Sequence, residues 1–201
     1  MAIQNSINTN PSAFTALRTL NSINRNLDTT QNRVSTGLKV GGALDNASTF
    51  AIAQGIRAEL SGIDAVSQGL NTAKGIGSVA IAGVTGISNL LTDVRGKLTE
   101  LANEGITTAQ RTILTEDFNA LLSQAGNFIA NASFNGVNLI ESGAGSVNTL
   151  SNLAGGTLSL TAQSAVNTQV GSLAGGDVTS ATAAQSVIAN QYANLESVVN
   201  T

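Results

Sequence analysis

The chain has 201 residues and a net charge of −3, with only 10% of its residues charged, so it has no basic surface to offer a phosphate backbone and nucleic acid is excluded as a partner. It contains neither Cys nor His, which removes disulfides, thiol catalysis, imidazole metal sites, zinc-protease motifs and a Ser-His-Asp arrangement. Aromatic residues are 3% of the chain, too few to fill a thick core, and the Ala, Leu, Ile and Val that supply its apolar content suit thin helical seams.

The amino terminus, MAIQNSINTNPSA, is polar and uncharged, with neither the basic nor the apolar region of a cleaved secretory signal. We find no run of roughly 18 consecutive apolar residues and expect no membrane insertion. Residues 1–10 read as disordered until something docks on them. Asn10 is placed to cap, and Pro11 to open, a first helix that runs to about Thr36. Along it Ala13, Ala16, Leu20, Ile23, Leu27, Thr30 and Val34 recur at threes and fours, a heptad seam that buries one stripe against partner helices. Gly37 breaks the helix, and residues 37–44 form a Gly-rich connection.

From Asp45 to Asn103 two heptad columns run unbroken by proline. One is Ile56, Ile63, Leu70, Gly77, Val84, Leu91 and Leu98; the other is Val66, Ala73, Ala80, Ile87, Val94 and Leu101. A helix this long, on the order of 80 Å, belongs in an elongated bundle and not in a small globule. Gly55, Gly62, Gly69 and Gly83 share a further column, read here as a smooth strip that lets a neighbouring helix come close. Gly105 stops the helix and ITTAQR turns the chain back, so a third helix from about Thr108 to Ala130 lies antiparallel, with Leu114, Phe118, Leu121, Ala125 and Phe128 inward. Phe134-Asn135-Gly136-Val137 reads as a tight hairpin turn. Thr157–Thr161 and Val166–Val170 read as short strands in a segment rich in Gly, Ser, Thr and Asn. Helical spacing returns at Ala184, Ile188, Gln191 or Tyr192, Leu195 and Val198. No catalytic pair emerges: Glu116 and Asp117 are neighbours that point about 100° apart on a helix, and Gly75-Ile76-Gly77 lacks the strand-turn context of a phosphate loop. Neither an enzyme nor a cofactor is expected.

INTN at 7–10, NRVSTGLKV at 32–40 and ALDNAS with AIA at 43–53 resemble, in order and without insertion, the amino-terminal region of bacterial flagellins, and the resemblance extends to FNGV at 134–137. It implies a mainly α fold, an elongated antiparallel helical bundle or coiled coil with a small β-hairpin-rich region. The expected parts are an export and polymerisation segment at 1–44, a long-helix bundle at 45–131, a short β-rich region at 132–180 and the start of a carboxy-terminal helix at 181–201. The implied function is that of a secreted structural subunit of the flagellar filament, used for motility and self-assembling through its helices. The implied partners are further copies of the chain, the flagellar export machinery and its chaperone. On this reading Leu20, Ile23, Leu27, Val34, Ile63, Leu70, Val84 and Leu91 form helix or inter-subunit seams. Flagellins continue from here into a helix that pairs with the amino-terminal one, and the sequence stops at Thr201, as a fragment or as a truncated product; alone, it is expected to stay monomeric. Residues 1–40 are expected to be disordered in the free chain. A hook–filament junction protein and a soluble adaptor bundle are the alternative readings. The resemblance also places Val94, Arg95 and Asp117 where an animal innate receptor reads flagellins, with Gly96 and Lys97 departing from the family's pattern.

Overall fold

Asn10 opens the described part of the chain as a helix cap, its side-chain oxygen accepting from the amides of Ser12 and Ala13 at 3.0 and 3.2 Å. Helix α1 (Pro11–Thr36) starts on Pro11 and ends at Gly37, whose φ of 67° is the left-handed conformation that favours glycine. The computed structural model describes residues 10–199; the expectation of disorder for residues 1–10 otherwise lies outside them. The expectation of disorder up to residue 40 is corrected to a continuous helix over Pro11–Thr36, although one in which no residue is buried. Helix α2 (Ala47–Leu101) follows, 55 residues long. The chain divides into two compact units, Met1–Ser61 and Gly62–Thr201.

In the second unit the buried face of α2 is Ala73, Ile76, Ala80, Gly83, Ile87, Leu90, Leu91, Val94, Leu98 and Leu101. The column from Ala73 to Leu101 is therefore core throughout. Helix α3 (Thr108–Asn131) begins with a capping box in which Thr107 and Gln110 satisfy each other's backbone amides. Arg111 donates to the carbonyls of Leu101 and Asn103, covering the orphan acceptors at the end of α2 with the first turn of α3. The inward face of α3 is Phe118, Leu122, Ala125 and Ile129. Leu121 and Phe128, expected inward, are only half-buried, because a helix of 3.6 residues per turn drifts off a strict heptad.

Two hairpins follow, β1 (Ser133–Phe134) with β2 (Val137–Asn138) and β3 (Val147–Leu150) with β4 (Thr157–Leu160). Asn135 and Gly136 both take positive φ, 52° and 76°, as the tight Asn-Gly turn requires. Asn138 is the buried polar residue of the core; its amide donates to the carbonyl of Ile129 at 2.6 Å and its oxygen accepts from the amide of Ile140 at 2.9 Å, so both ends are satisfied.

The expected strand at Val166–Val170 is instead part of helix α4 (Ala165–Ala174). Its buried residues Val166, Val170 and Leu173 lie four and three apart, and a spacing of four fits a helix face as well as a strand face. Helix α5 (Ala181–Val187), a π turn at Ile188–Tyr192 and helix α6 (Ala193–Val199) end the described chain. The π turn inserts one residue into the frame, so Val187 faces the core in place of the expected Ile188, and of the alternatives Gln191 and Tyr192 it is Tyr192 that is buried.

The glycine column is also corrected. An added Cβ at Gly62 would meet Leu153 at 2.5 Å and at Gly69 would meet Thr149 at 3.0 Å, so these glycines seat the β3–β4 hairpin and not a helix. At Gly83 it would meet Ala132 at 2.8 Å and Ile140 at 3.1 Å, while Gly55 faces open space. By length and composition α2 could cross a membrane: an 18-residue window has a mean hydropathy of 1.4. One side of that helix is used on the chain's own core, and Ser78, Thr85 and Asn89 stand exposed on the other.

Candidate assembly surface

An amphipathic helix normally buries its apolar stripe, and α1 buries nothing. Leu20, Ile23 and Leu27 are 53%, 55% and 51% exposed and Val34 is 78% exposed. The four seam residues expected on this helix are thus all at the surface. Sequence reasoning passed over Phe14 and Leu17, which are equally exposed but lie off the heptad column; the signal for Phe14 is its place on the opposite face, four residues before Arg18.

The first turns of α2 repeat the condition. Ile52, Ile56 and Leu60 are exposed, as is Ile63. Further along, the expected seam residues Leu70 and Val84 are half-buried and Leu91 is buried in the chain's own core.

Of the three residues expected to face a receptor, the structure contradicts one. Val94 is 1% exposed, packed in the core by its place in the buried α2 column. Arg95 and Asp117 are exposed. Lys97 reaches Asp117 at 3.1 Å and Glu100 at 3.5 Å. The hydrogen bond it donates to the Asp117 carboxylate is the main reason the Lys97 ammonium is held above its ordinary pKa, against a smaller opposing effect of burial. The half-buried lysine thus lies along the helix surface with its charge answered by two carboxylates. Among the described residues no group of three metal-ligating side chains is present.

These features define a class: a helical subunit that presents unpaired heptad seams and no chemical centre among its described residues, a protein made to associate with other helices. Comparison with known proteins identifies the particular family. The profile of the bacterial flagellin N-terminal helical region matches residues 7–144. Flagellin FljM of Caulobacter vibrioides is 32% identical over 196 residues, 98% of this chain and 72% of the relative. A flagellin of Brucella melitensis is 33% identical over 136 residues, 68% of this chain and 48% of the relative. The crystal structure of Bacillus cereus flagellin shares the fold, with a TM-score of 0.54 at 20% identity over 65% of this chain and 76% of that one. The chain belongs to the bacterial flagellin family, a family of structural proteins, and is a structural subunit of the flagellar filament, an extracellular assembly.

Proposed function

We propose that the chain enters the filament through α1, with Leu20, Ile23, Leu27 and Val34 as its inter-subunit seam, and through the exposed start of α2, including Ile63. What supports this reading is that α1 is amphipathic yet buries none of its side chains. Each seam residue would gain roughly 1.5–3 kcal/mol by full burial. In this division 1–44 serves export and polymerisation, 45–131 the bundle, 132–180 the hairpin region and 181–201 the returning helix. Leu70, Val84 and Leu91 act within the subunit as a seam that keeps the bundle straight. Delivery to the filament runs through the flagellar export machinery with a chaperone.

With Val94 buried and Asp117 held by Lys97, we also expect only weak recognition by the innate receptor; a cell reporter responding as it does to an enteric flagellin would refute that. The assembly reading is tested by copolymerisation. Labelled chain mixed with depolymerised filaments of a relative should sediment with the regrown filaments, and a Leu20→Asp, Leu27→Asp variant should be left in the supernatant. Exclusion of the unmodified chain, or equal incorporation of the variant, would overturn the reading.

A further inference from the structure

The stripe at the start of α2 contains one residue of the wrong chemistry. Ile52, Ile56, Glu59 and Ile63 follow one another at spacings of four, three and four, so they share one face of the helix, and Glu59 stands between exposed isoleucines. Its column continues into Val66, Ala73, Ala80, Ile87, Val94 and Leu101, which are half-buried at Val66 and buried from Ala73 onward. The same seam is therefore covered by the chain at one end and uncovered at the other. A helix laid on the uncovered end would strip water from the Glu59 carboxylate, and a desolvated carboxylate needs a cation.

Arg57, the nearest cation in sequence, lies off this face and donates to Gln54 at 3.1 Å. Among the described residues both ion pairs belong to Lys97. Helix α1 carries Arg18, Arg25 and Arg33 against the single acid Asp28, and it presents two faces. Opposite its apolar seam, Phe14, Arg18, Asn21 and Arg25 repeat the spacings of four, three and four. Laid antiparallel on the α2 stripe, that face sets Arg18 against Glu59 and exposed Phe14 against exposed Ile63. In the same register Asn21 and Arg25 lie over Ile56 and Ile52, where the stem of Arg25 covers apolar surface and its charged end reaches water at the edge of the stripe.

We infer that Glu59 sets the register of an interface between copies, in which the Phe14–Arg18 face of α1 from a second copy covers the Ile52–Ile56–Glu59–Ile63 stripe and Arg18 pairs with the Glu59 carboxylate. The inference rests on filament membership and goes beyond it by naming a contact. An ionised residue in a heptad seam sacrifices some stability for one register and one partner, because every slipped register leaves the charge unpaired. It also gives α1 work on two sides, its apolar seam for one neighbour and its guanidinium face for another. Two different docking faces make the contact heterologous, which gives an open helical lattice when its rotation does not close into a ring.

The absence of native cysteine makes the test direct. An equal mixture of Glu59→Cys and Arg18→Cys chains is copolymerised with depolymerised filaments of a relative and mildly oxidised. The expected product is a disulfide-linked dimer holding one of each variant, which neither variant gives alone. Polymer that forms without this mixed dimer would overturn the contact and leave filament membership standing. Failure of the unmodified chain to enter polymer would overturn both. Charge reversal supplies the second readout: Glu59→Arg should raise the concentration needed for assembly roughly tenfold, and adding Arg18→Glu should restore it. Because both residues are exposed, each free variant should keep the helical circular dichroism of the unmodified chain. A double variant that assembles no better than Glu59→Arg alone would also count against the pairing.

Discussion

Helix α1 and the last 29 residues of α2 are written in the same heptad grammar and meet opposite fates. Ten residues of α2 are buried, all of them from Ala73 onward, whereas α1 buries none. The difference lies in what surrounds each helix and not in its own pattern. The far end of α2 is covered by α3, α4, the hairpins and the α5–α6 segment, which bring Phe118, Ile140, Leu173, Val166 and Leu195 into one cluster. On α1, Thr15, Thr19, Thr29, Thr30 and Thr36 turn their hydroxyls back onto carbonyls four residues earlier, and Thr85 and Thr99 do the same on α2. Such local bonds therefore do not separate the two helices, and burial does. Periodicity says which residues share a face; it does not say what covers the face.

The sharpest way to break this comparison is to cut one side chain from each region. Phe118 is fully buried, and Phe118→Ala should cost about 3–5 kcal/mol of unfolding free energy in urea. Leu20→Ala in the unassembled chain should fall within about 0.5 kcal/mol of the unmodified protein, while still impairing assembly. If Leu20→Ala proved as costly as Phe118→Ala in the free chain, the seam of α1 would be covered before assembly and the comparison would fail.

Amide exchange sharpens it along the chain. Residues 11–36, helical but unburied, should exchange far faster than residues 73–101 and 114–129, which should open only with global unfolding. Equal protection of the two regions would show α1 docked in the free subunit.

Much of this was legible beforehand where one residue carries a local rule. Asn10, Pro11 and Gly37 bound α1 by capping, the φ lock of proline and the left-handed φ of glycine, none of which needs tertiary context. Asn135-Gly136 fixed its hairpin for the same reason. What failed depended on partners elsewhere in the chain. Val166 and Val170 took helical form once α3 and α6 could pack against them. The π turn follows from fitting Tyr192 against α2, where its hydroxyl donates to the Leu91 carbonyl at 3.3 Å. Val94 lies in the heptad column of Ala80, Ile87 and Leu101, and that periodicity, not the resemblance, gives its place in the core. On α1, threes and fours put Leu20, Ile23 and Leu27 on one face whatever covers it, whereas Phe14 and Arg18 share the opposite face, which a single heptad column does not mark.

A glycine pair tests close packing with a smaller expected effect. Gly83→Ala forces its methyl to within 2.8 Å of Ala132 at the end of α3, and strain of this kind costs roughly 1–3 kcal/mol. Gly77→Ala, on the same helix with nothing within 4 Å, should instead stabilise by up to about 1 kcal/mol through helix propensity. Two substitutions of the same sign would mean that the hairpins and α3 do not seat on α2 as described.

The smallest effect concerns the join between the π turn and α2, at alkaline pH. Burial is the main cause that pushes the Tyr192 phenol above its ordinary pKa, Glu196 adds to it, and Arg95 opposes it. A raised value means that the fold favours the neutral phenol. The associated stability is fully present below the ordinary phenol pKa and declines as pH climbs through the raised one. Lys97 contributes a loss of the same sign, because its ammonium is also held above its ordinary value, first by Asp117. Both losses fall in the same alkaline window, but the chain has a single tyrosine, so phenolate absorbance reports Tyr192 alone. We expect that absorbance to rise at higher pH in the folded chain than in urea. Tyr192→Phe should cost about 1 kcal/mol near neutrality, for the lost hydrogen bond, and should flatten part of the alkaline decline, leaving the part due to Lys97. A phenol that titrates at its ordinary value in the folded chain would place Tyr192 in water, and the α5–α6 segment would then not be part of the covering that distinguishes α2 from α1.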